Sequence, residues 1–140
     1  MILLDTNVIS ELMRPAPAPA VVAFLRGQTL ADVFTSSVGE AEIRYGIARR
    51  PAGRRRDELE AAFAAFMAEG FGDRVMGFDR ACAAGYAMAR TAREAIGQPV
   101  TLPDALIAGT ALAFGATIAT RNVGDFAQCG VPVVNPWEAG

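Results

Sequence analysis

Asp5, Glu42 and Asp104 are the residues of this sequence whose type and placement best suit chemistry. Asp5 directly follows a short apolar run, whereas Glu42 and Asp104 lie in the first two turns of predicted helices. Two carboxylates about 4 Å apart repel by roughly 4 kcal/mol at an effective dielectric near 20, so a cluster persists only when protons or a cation neutralise it. A divalent cation also lowers the pKa of bound water and stabilises charge on a phosphodiester. These acids therefore predict metal-dependent phosphodiester chemistry.

Each acid taken alone also has a structural interpretation. Asp5 in the run D-T-N could close a side-chain turn, and Asp104 could simply interact with the dipole of its helix. Asp125 taken alone is a turn residue. The argument for a site rests on the set of acids and not on any one of them.

Two neighbouring glutamates separate more clearly. Ser37 and Glu40 have the spacing of a capping box at the start of a predicted helix, so we assign Glu40 to structure. Glu42 lies two positions further on and faces roughly the opposite side of the helix. We therefore assign Glu42 to the chemistry.

Two residue types are missing from the chain. It contains no His, and all 13 basic residues are Arg. This excludes an imidazole base, a Ser-His or Cys-His nucleophile pair, the usual zinc sites, a phosphate-loop lysine and a Schiff base. The remaining donors are oxygen atoms, which favour hard cations such as Mg²⁺ or Mn²⁺.

Short apolar strands alternate with helices along the chain, which predicts an α/β fold with a parallel sheet covered on both faces. The predicted strands are 2–4, 33–35, 74–78, 116–120 and 131–134. The predicted helices are 8–13, 20–26, 37–49, 54–69, one from the Asp79 cap to residue 96, and one from the Thr101 cap to residue 114. Function in such folds collects at the carboxyl ends of the strands, where Asp5 and Asp125 lie.

Length and composition bound the protein class. The chain has 140 residues, 52% of them hydrophobic, so we expect one domain over residues 1–140. No stretch is apolar for the roughly 20 residues that a bilayer requires, and the N-terminus does not have the pattern of a signal peptide. We expect Cys82 and Cys129 to be buried free thiols. We also expect the protein to lie in a reducing cytoplasm and not to contact a membrane.

Five runs of residues together resemble one known family. The chain opens with M-I-L-L-D-T-N-V-I-S-E and continues with S-S-V-G-E-A-E-I-R-Y-G at 36–46, L-P-D-A-L-I-A at 102–108, A-T-R-N-V-G-D-F at 119–126 and N-P-W near its end. This order resembles PIN-domain ribonuclease toxins of the VapC family, particularly the FitB-like branch.

The resemblance implies a PIN-like, three-layer α/β/α sandwich with a short, mostly parallel central sheet. It implies an Mg²⁺- or Mn²⁺-dependent endoribonuclease that is the toxin of a type II toxin–antitoxin system. It also implies a homodimer, a small DNA-binding antitoxin as partner, and a larger assembly of both proteins on operator DNA.

The resemblance also carries residue roles. Asp5, Glu42 and Asp104 match the family's first three acids, which makes them the implied metal ligands. Where the family often has a fourth Asp this chain has Asn122, with Asp125 in the same turn as the alternative, so we expect one metal to bind well and no tightly held second one. We expect hydrolysis of an RNA phosphodiester by a metal-activated water. Further expected participants are Arg121 at the phosphate and the hydroxyls of Thr6, Ser37 and Thr120 near the ligands.

Other interpretations remain open at this stage. A PIN-like domain that no longer cleaves and instead binds protein or RNA is the main alternative, and Asn122 supports it. A phosphatase of the haloacid dehalogenase type is disfavoured, because Asn7 stands where its second Asp belongs and Lys is absent. The arginines within 49–56 either contact phosphates or form solvated pairs with Asp57, Glu58 and Glu60.

Overall fold

The computed structural model describes residues 1–138 as a five-stranded, fully parallel sheet between helices. The strands are β1 (Ile2–Leu4), β2 (Val33–Ser36), β3 (Val75–Met76), β4 (Thr117–Ala119) and β5 (Val133–Val134). The helices are α1 (Thr6–Leu12), α2 (Pro19–Arg26), α3 (Ser37–Ala48), α4 (Arg54–Gly70), α5 (Arg80–Ala95), α6 (Leu102–Phe114) and α7 (Val123–Phe126), with a 3₁₀ turn at Leu30–Asp32. No helix among these residues is long and apolar enough to cross a membrane.

Two hydrophobic clusters cover the two faces of the sheet. Leu3 packs with residues of α5 and α6, such as Ala89 and Ile107, whereas Leu4 packs with residues of α1 and α4, such as Val8 and Phe63. Successive residues of a strand point to opposite faces, so β1 contributes to both clusters. The predicted three-layer α/β/α sandwich is therefore confirmed.

The strands lie side by side in the order β3-β2-β1-β4-β5. The side of the sheet on which the chain adds new strands therefore changes at β1. From β1 the chain builds β2 and β3 on one side, and then crosses back to place β4 and β5 on the other. Ile2 pairs with Thr117 and Leu4 with Ala119, which brings the carboxyl ends of β1 and β4 level. A crevice outside the strands at such a reversal is where open α/β sheets bind ligands.

The N-terminal cap of α3 differs from the prediction. The capping hydroxyl belongs to Ser36, which accepts a hydrogen bond from the Gly39 N–H at 2.9 Å, and not to Ser37. Glu40 therefore has no part in a capping box and instead forms an exposed ion pair with Arg44 at 3.1 Å. The capping-box spacing favoured Ser37, but β2 continues to Ser36 and the helix begins directly after it, so the hydroxyl of Ser36 is the one at the cap.

The other predicted local signals agree more closely with the structure. Asp79 and Thr101 cap α5 and α6, and Gly115 ends α6 with a φ of 65°. Cys82 and Cys129 are buried free thiols. Residues 74–78 and 131–134 form only two-residue strands, and the turn predicted over 122–126 contains the one-turn helix α7.

Candidate active site

Asp5 lies at the junction of β1 and β4. Its backbone N–H donates to the carbonyl of Ala119 at 2.9 Å, which continues the pairing of the two strands by one residue. Its carboxylate accepts hydrogen bonds from the Thr6 N–H at 2.8 Å, the Thr120 hydroxyl at 2.8 Å and the Asn7 amide at 3.3 Å. Asp5 thus caps α1, which agrees with the structural interpretation of this residue.

Burial shapes the electrostatics of this carboxylate. Asp5 is only 4% exposed, and the cost of burying its charge raises its pKa above the ordinary value. Hydrogen bonds from Thr120 and Thr6 lower the pKa and offset this effect in part, while the charge of Asp125 raises it further. The carboxylate is therefore held in position by its donors but is poorly compensated in charge.

Asp5 opens into a cavity of about 510 Å³ outside the ends of β1 and β4. The cavity brings together residues that are distant in the chain, namely Asp5, Thr6, Asn7, Asp104, Arg121, Asn122 and Asp125, with Trp137 at its wall. Burial and the charge of Asp5 both raise the pKa of Asp104, in that order. The predicted residues at 5, 104, 122 and 125 thus lie around one space.

Glu42 lines a second groove that adjoins this cavity. Thr6, Ser10 and Arg14 line both spaces, so the two lie side by side. The pKa of Glu42 is raised first by burial and then by the charges of Asp5 and Asp104. Its Oε1 atom is buried without a hydrogen-bond partner among the described residues. A buried oxygen in this condition is costly unless something binds it.

The donor set can be compared with the needs of a cation. Within residues 1–138, no three His, Cys, Asp or Glu side chains lie close enough together to enclose a metal ion. Mg²⁺ does not require such an enclosure, because it usually keeps several waters and binds one or two carboxylates. The Asp5, Asp104 and Asp125 carboxylates line one cavity with the Asn122 amide, and the unpartnered Glu42 oxygen lies beside them. This set of oxygen donors fits a cation of this kind.

Another acid in the cavity has a structural role. Glu11 is buried, and its carboxylate accepts from the Ala18 N–H at 3.0 Å and from Arg14 at 3.2 Å. The bond from Ala18 is the main reason that the pKa of Glu11 is lowered. Glu11 therefore fastens the connection between α1 and α2 and is already compensated.

Of the four predicted supporting residues, two contact Asp5, one lies at the edge of the cavity and one lies outside both spaces. The hydroxyl of Thr120 contacts Asp5 and accepts from the Asn122 N–H at 3.0 Å, and Thr6 also contacts Asp5. The Arg121 guanidinium lies 4.9 Å from the centre of the Trp137 ring, at the edge of the cavity. Ser37 lines neither space.

Two residues that were not predicted from the sequence also support the site. Asn7 bridges Asp5 and Thr120 and accepts from the Arg121 N–H at 3.2 Å, which links α1 to the end of β4. Arg93 is 6% exposed and donates from Nη1 to the carbonyls of residues 124, 125 and 127 at 2.9–3.0 Å. Arg93 follows Cys82, Gly85 and Ala89 at helical spacing and so lies on the buried face of α5. A charged residue at a position of this periodicity is the sequence feature that could have identified it.

Arg93 is expected to stabilise the turn that carries Asn122 and Asp125. Replacing Arg93 with Met keeps most of the side-chain volume but removes the donors to those carbonyls and to that of Gln98, leaving acceptors unsatisfied. We expect the free energy of unfolding to fall by about 2 kcal/mol, measured by urea denaturation. Arg90→Met on the same helix, where Arg90 is exposed and pairs with Glu94 at 3.6 Å, should stay within about 0.5 kcal/mol of wild type. Equal losses in both variants would contradict this role.

The raised pKa of Asp5 predicts a pH dependence. In EDTA, the folded protein keeps the Asp5 proton at pH values where the unfolded chain has released it. The contribution of Asp5 to the free energy of unfolding is therefore full below about pH 4, the ordinary carboxyl range, and is lost as pH rises through the raised pKa. Urea titrations across this range should show a decline for wild type that is shallower in Asp5→Asn. Parallel curves would refute the expectation.

Comparison with known proteins identifies the family. The PIN domain model matches residues 2–130. The chain is 40% identical over 137 residues to toxin FitB of Neisseria gonorrhoeae, covering 98% of this chain and 99% of that protein. It is 36% identical over 138 residues to VapC ribonuclease Y4jK of Sinorhizobium fredii, covering 99% of each. A solved structure of FitAB bound to an IR36 DNA fragment has a TM-score of 0.89 at 39% identity, covering 100% of this chain and 98% of that chain. These similarities confirm the resemblance seen in the sequence, and the chain belongs to the PIN-domain family.

Proposed function

We propose that this protein is a metal-dependent endoribonuclease and the toxin of a toxin–antitoxin pair. The observation that carries the proposal is the cavity at the ends of β1 and β4, where Asp5 and Asp104 meet with Glu42 in the adjoining groove. All three carboxyls have raised pKa values, which is what a set of acids awaiting a cation should show. The similarity to a VapC ribonuclease supports RNA as the substrate.

In this proposal Asp5 and Asp104 hold one Mg²⁺ or Mn²⁺, and Glu42 with the turn of Asn122 and Asp125 completes the site. When bound, the cation stabilises charge on the phosphodiester and lowers the pKa of water. The hydroxyl of Thr120 and the N–H of Thr6 orient the Asp5 carboxylate.

Two further side chains have roles in the proposed reaction. The unpartnered oxygen of Glu42 can accept a proton from the attacking water, and burial raises the pKa of this carboxyl, which makes it a stronger base than an exposed glutamate. The Arg121 guanidinium, held over Trp137, stands at the cavity edge where it can contact a phosphate oxygen.

The proposed partner is a small DNA-binding antitoxin. This chain is similar in sequence to toxin FitB over its whole length, and the structure of FitAB has been solved with a bound DNA fragment. We propose the same kind of assembly here, with a homodimer of this chain joined to the antitoxin on operator DNA.

A second candidate is a PIN-like domain that binds RNA or protein without cutting. It is favoured by Asn122, where the family often has an acid, and by the absence of a three-acid enclosure within residues 1–138.

Incubation of the purified chain with single-stranded RNA separates the two candidates. A nuclease should cut with Mg²⁺ or Mn²⁺, should not cut in EDTA, and should melt at a higher temperature when the metal is added. RNA that stays intact with both metals, together with an unchanged melting temperature, would favour the non-cleaving domain. Mapping new RNA 5′ ends in cells that express the chain with and without its genomic neighbour would then identify the substrate and test the antitoxin.

A further inference from the structure

The groove that holds Glu42 runs away from the acid cavity between α1, α3 and α4. It encloses about 640 Å³, and its far end is lined by Arg50 and Arg55. Thr6, Ser10 and Arg14 line both spaces, so the groove with these two arginines lies directly beside the acid cavity.

The five arginines around the connection between α3 and α4 fall into two classes. Arg54 and Arg56 form ion pairs with Glu58 at 2.9 Å and Glu60 at 3.9 Å. The Arg49 guanidinium lies 5.7 Å from the centre of the Tyr45 ring and does not line the groove. Arg54 and Arg56 thus match the solvated pairing that was one of the two interpretations of the sequence, whereas Arg49 packs on Tyr45 instead.

Arg50 and Arg55 behave differently. Both are exposed side chains that line the groove, and within the described part of the chain neither forms an ion pair. Arg56 donates to the carbonyl of Arg50 at 3.2 Å, which fixes the loop from which Arg50 extends. The groove therefore presents two guanidinium groups without carboxylate partners. Arg50 extends from the loop that Arg56 holds, and Arg55 extends from the first turn of α4.

We infer that Arg50 and Arg55 form a phosphate-binding subsite for the RNA strand on one side of the bond that is cut. The inference rests on the proposed function, because that function supplies a phosphodiester in the acid cavity that adjoins this groove. Guanidinium groups present paired N–H donors that match phosphate oxygens. The net charge of -2 gives the chain no general attraction for nucleic acid, so binding must depend on local cations of this kind.

The subsite determines which RNAs are good substrates. Binding energy comes from phosphates beyond the scissile one, so an RNA that extends into the groove should bind better than one that ends at the acids. Loss of either arginine should raise KM and leave kcat nearly unchanged, because the contact is made equally before and during the reaction.

Binding of a fluorescein-labelled single-stranded RNA, followed by anisotropy in EDTA, tests the subsite without cleavage. Arg50→Ala and Arg55→Ala should each weaken binding about tenfold and reduce the slope of log K against log salt by about 0.7. Arg54→Ala is the matched control, because it removes the same charge from the neighbouring position but from a residue paired with Glu58. Arg54→Ala should bind RNA within about twofold of wild type. If the arginines acted only through general electrostatic attraction, Arg54→Ala and Arg55→Ala would weaken binding equally.

The outcomes distinguish this inference from the proposed function. If wild type cuts RNA but Arg55→Ala and Arg54→Ala bind RNA equally, the subsite is wrong and the nuclease stands. If wild type neither binds nor cuts RNA, the proposed function is wrong, and the subsite that rests on it is wrong as well. If the Arg50 and Arg55 variants keep full RNA affinity but lose the antitoxin encoded by the genomic neighbour, the groove is a protein-binding surface and the inference is overturned. Unchanged melting temperatures would show that the variants fold.

Discussion

Asp5→Asn is expected to reduce RNA cleavage by about a thousandfold or more while the protein stays folded. The amide keeps an oxygen that can accept from the Thr6 N–H, so the cap of α1 survives. It removes the negative charge that the proposed cation requires at the end of β1. Because the buried carboxylate is poorly compensated, the metal-free variant should be at least as stable as wild type above the ordinary carboxyl pKa.

Initial cleavage rates at saturating Mg²⁺ and melting temperatures with and without the metal test this prediction. Wild type should be stabilised by Mg²⁺, and Asp5→Asn should lose that response together with its activity. Asp32→Asn makes the same chemical change at an exposed position outside both spaces and should alter neither. A variant at position 5 that cuts as fast as wild type would remove Asp5 from the reaction.

Gly109→Ala is expected to cause the largest loss of stability. Gly109 on α6 packs against the backbone of α5, where an added Cβ would lie 2.4 Å from the Tyr86 nitrogen and 2.8 Å from the Cys82 carbonyl oxygen. Backbone atoms cannot rotate away as a side chain can, so the two helices must separate. We expect the free energy of unfolding to fall by at least about 3 kcal/mol, and the melting temperature by roughly 10 °C.

The opposing glycine gives an independent check of this contact. A Cβ on Gly85 would lie 2.5 Å from the Gly109 carbonyl oxygen, so Gly85→Ala should be similarly destabilising. Gly46→Ala is the control, because nothing lies within 4 Å of its added Cβ in the interior of α3. That change should raise stability by about 0.5–1 kcal/mol, as Ala does in helices. Calorimetry that ranks all three variants together would disprove the close approach of α5 and α6.

This helix pair also bears on the candidate site. Asp104 lies in the first turn of α6, and the Arg93 of α5 holds the turn of Asn122 and Asp125. The packing of α5 on α6 therefore positions two sides of the acid cavity from outside it. Partial loss of activity in Gly109→Ala would follow from displacement of Asp104.

Several features of the fold could be predicted from the sequence because their causes are local. The strand Ile2–Leu4 is as predicted, since an apolar run ended by Asp5 leaves little freedom in its bounds. The caps Asp79 and Thr101 are confirmed, because a capping side chain bonds a backbone N–H three residues away. The prediction of Ser37 as the cap of α3 was wrong, because the preceding residue, Ser36, offers the same hydroxyl to the same helix.

By itself, the sequence determined the chemistry open to this protein. A chain without His or Lys must work with carboxylates, hydroxyls, guanidinium groups and backbone amides, apart from its two thiols. It also determined the alternation of strands and helices, because hydrophobic periodicity and capping act over a few residues. The family resemblance depends on the same short runs.

Tertiary structure alone decided which of these groups meet. The reversal of strand order at β1 joins Asp5 to Thr120 across 115 positions of the chain, and the Arg93 guanidinium reaches carbonyls more than 30 residues away. The same packing leaves Arg55 facing the groove. No local pattern encodes such contacts, because they depend on the relative positions of elements that only the packed core establishes.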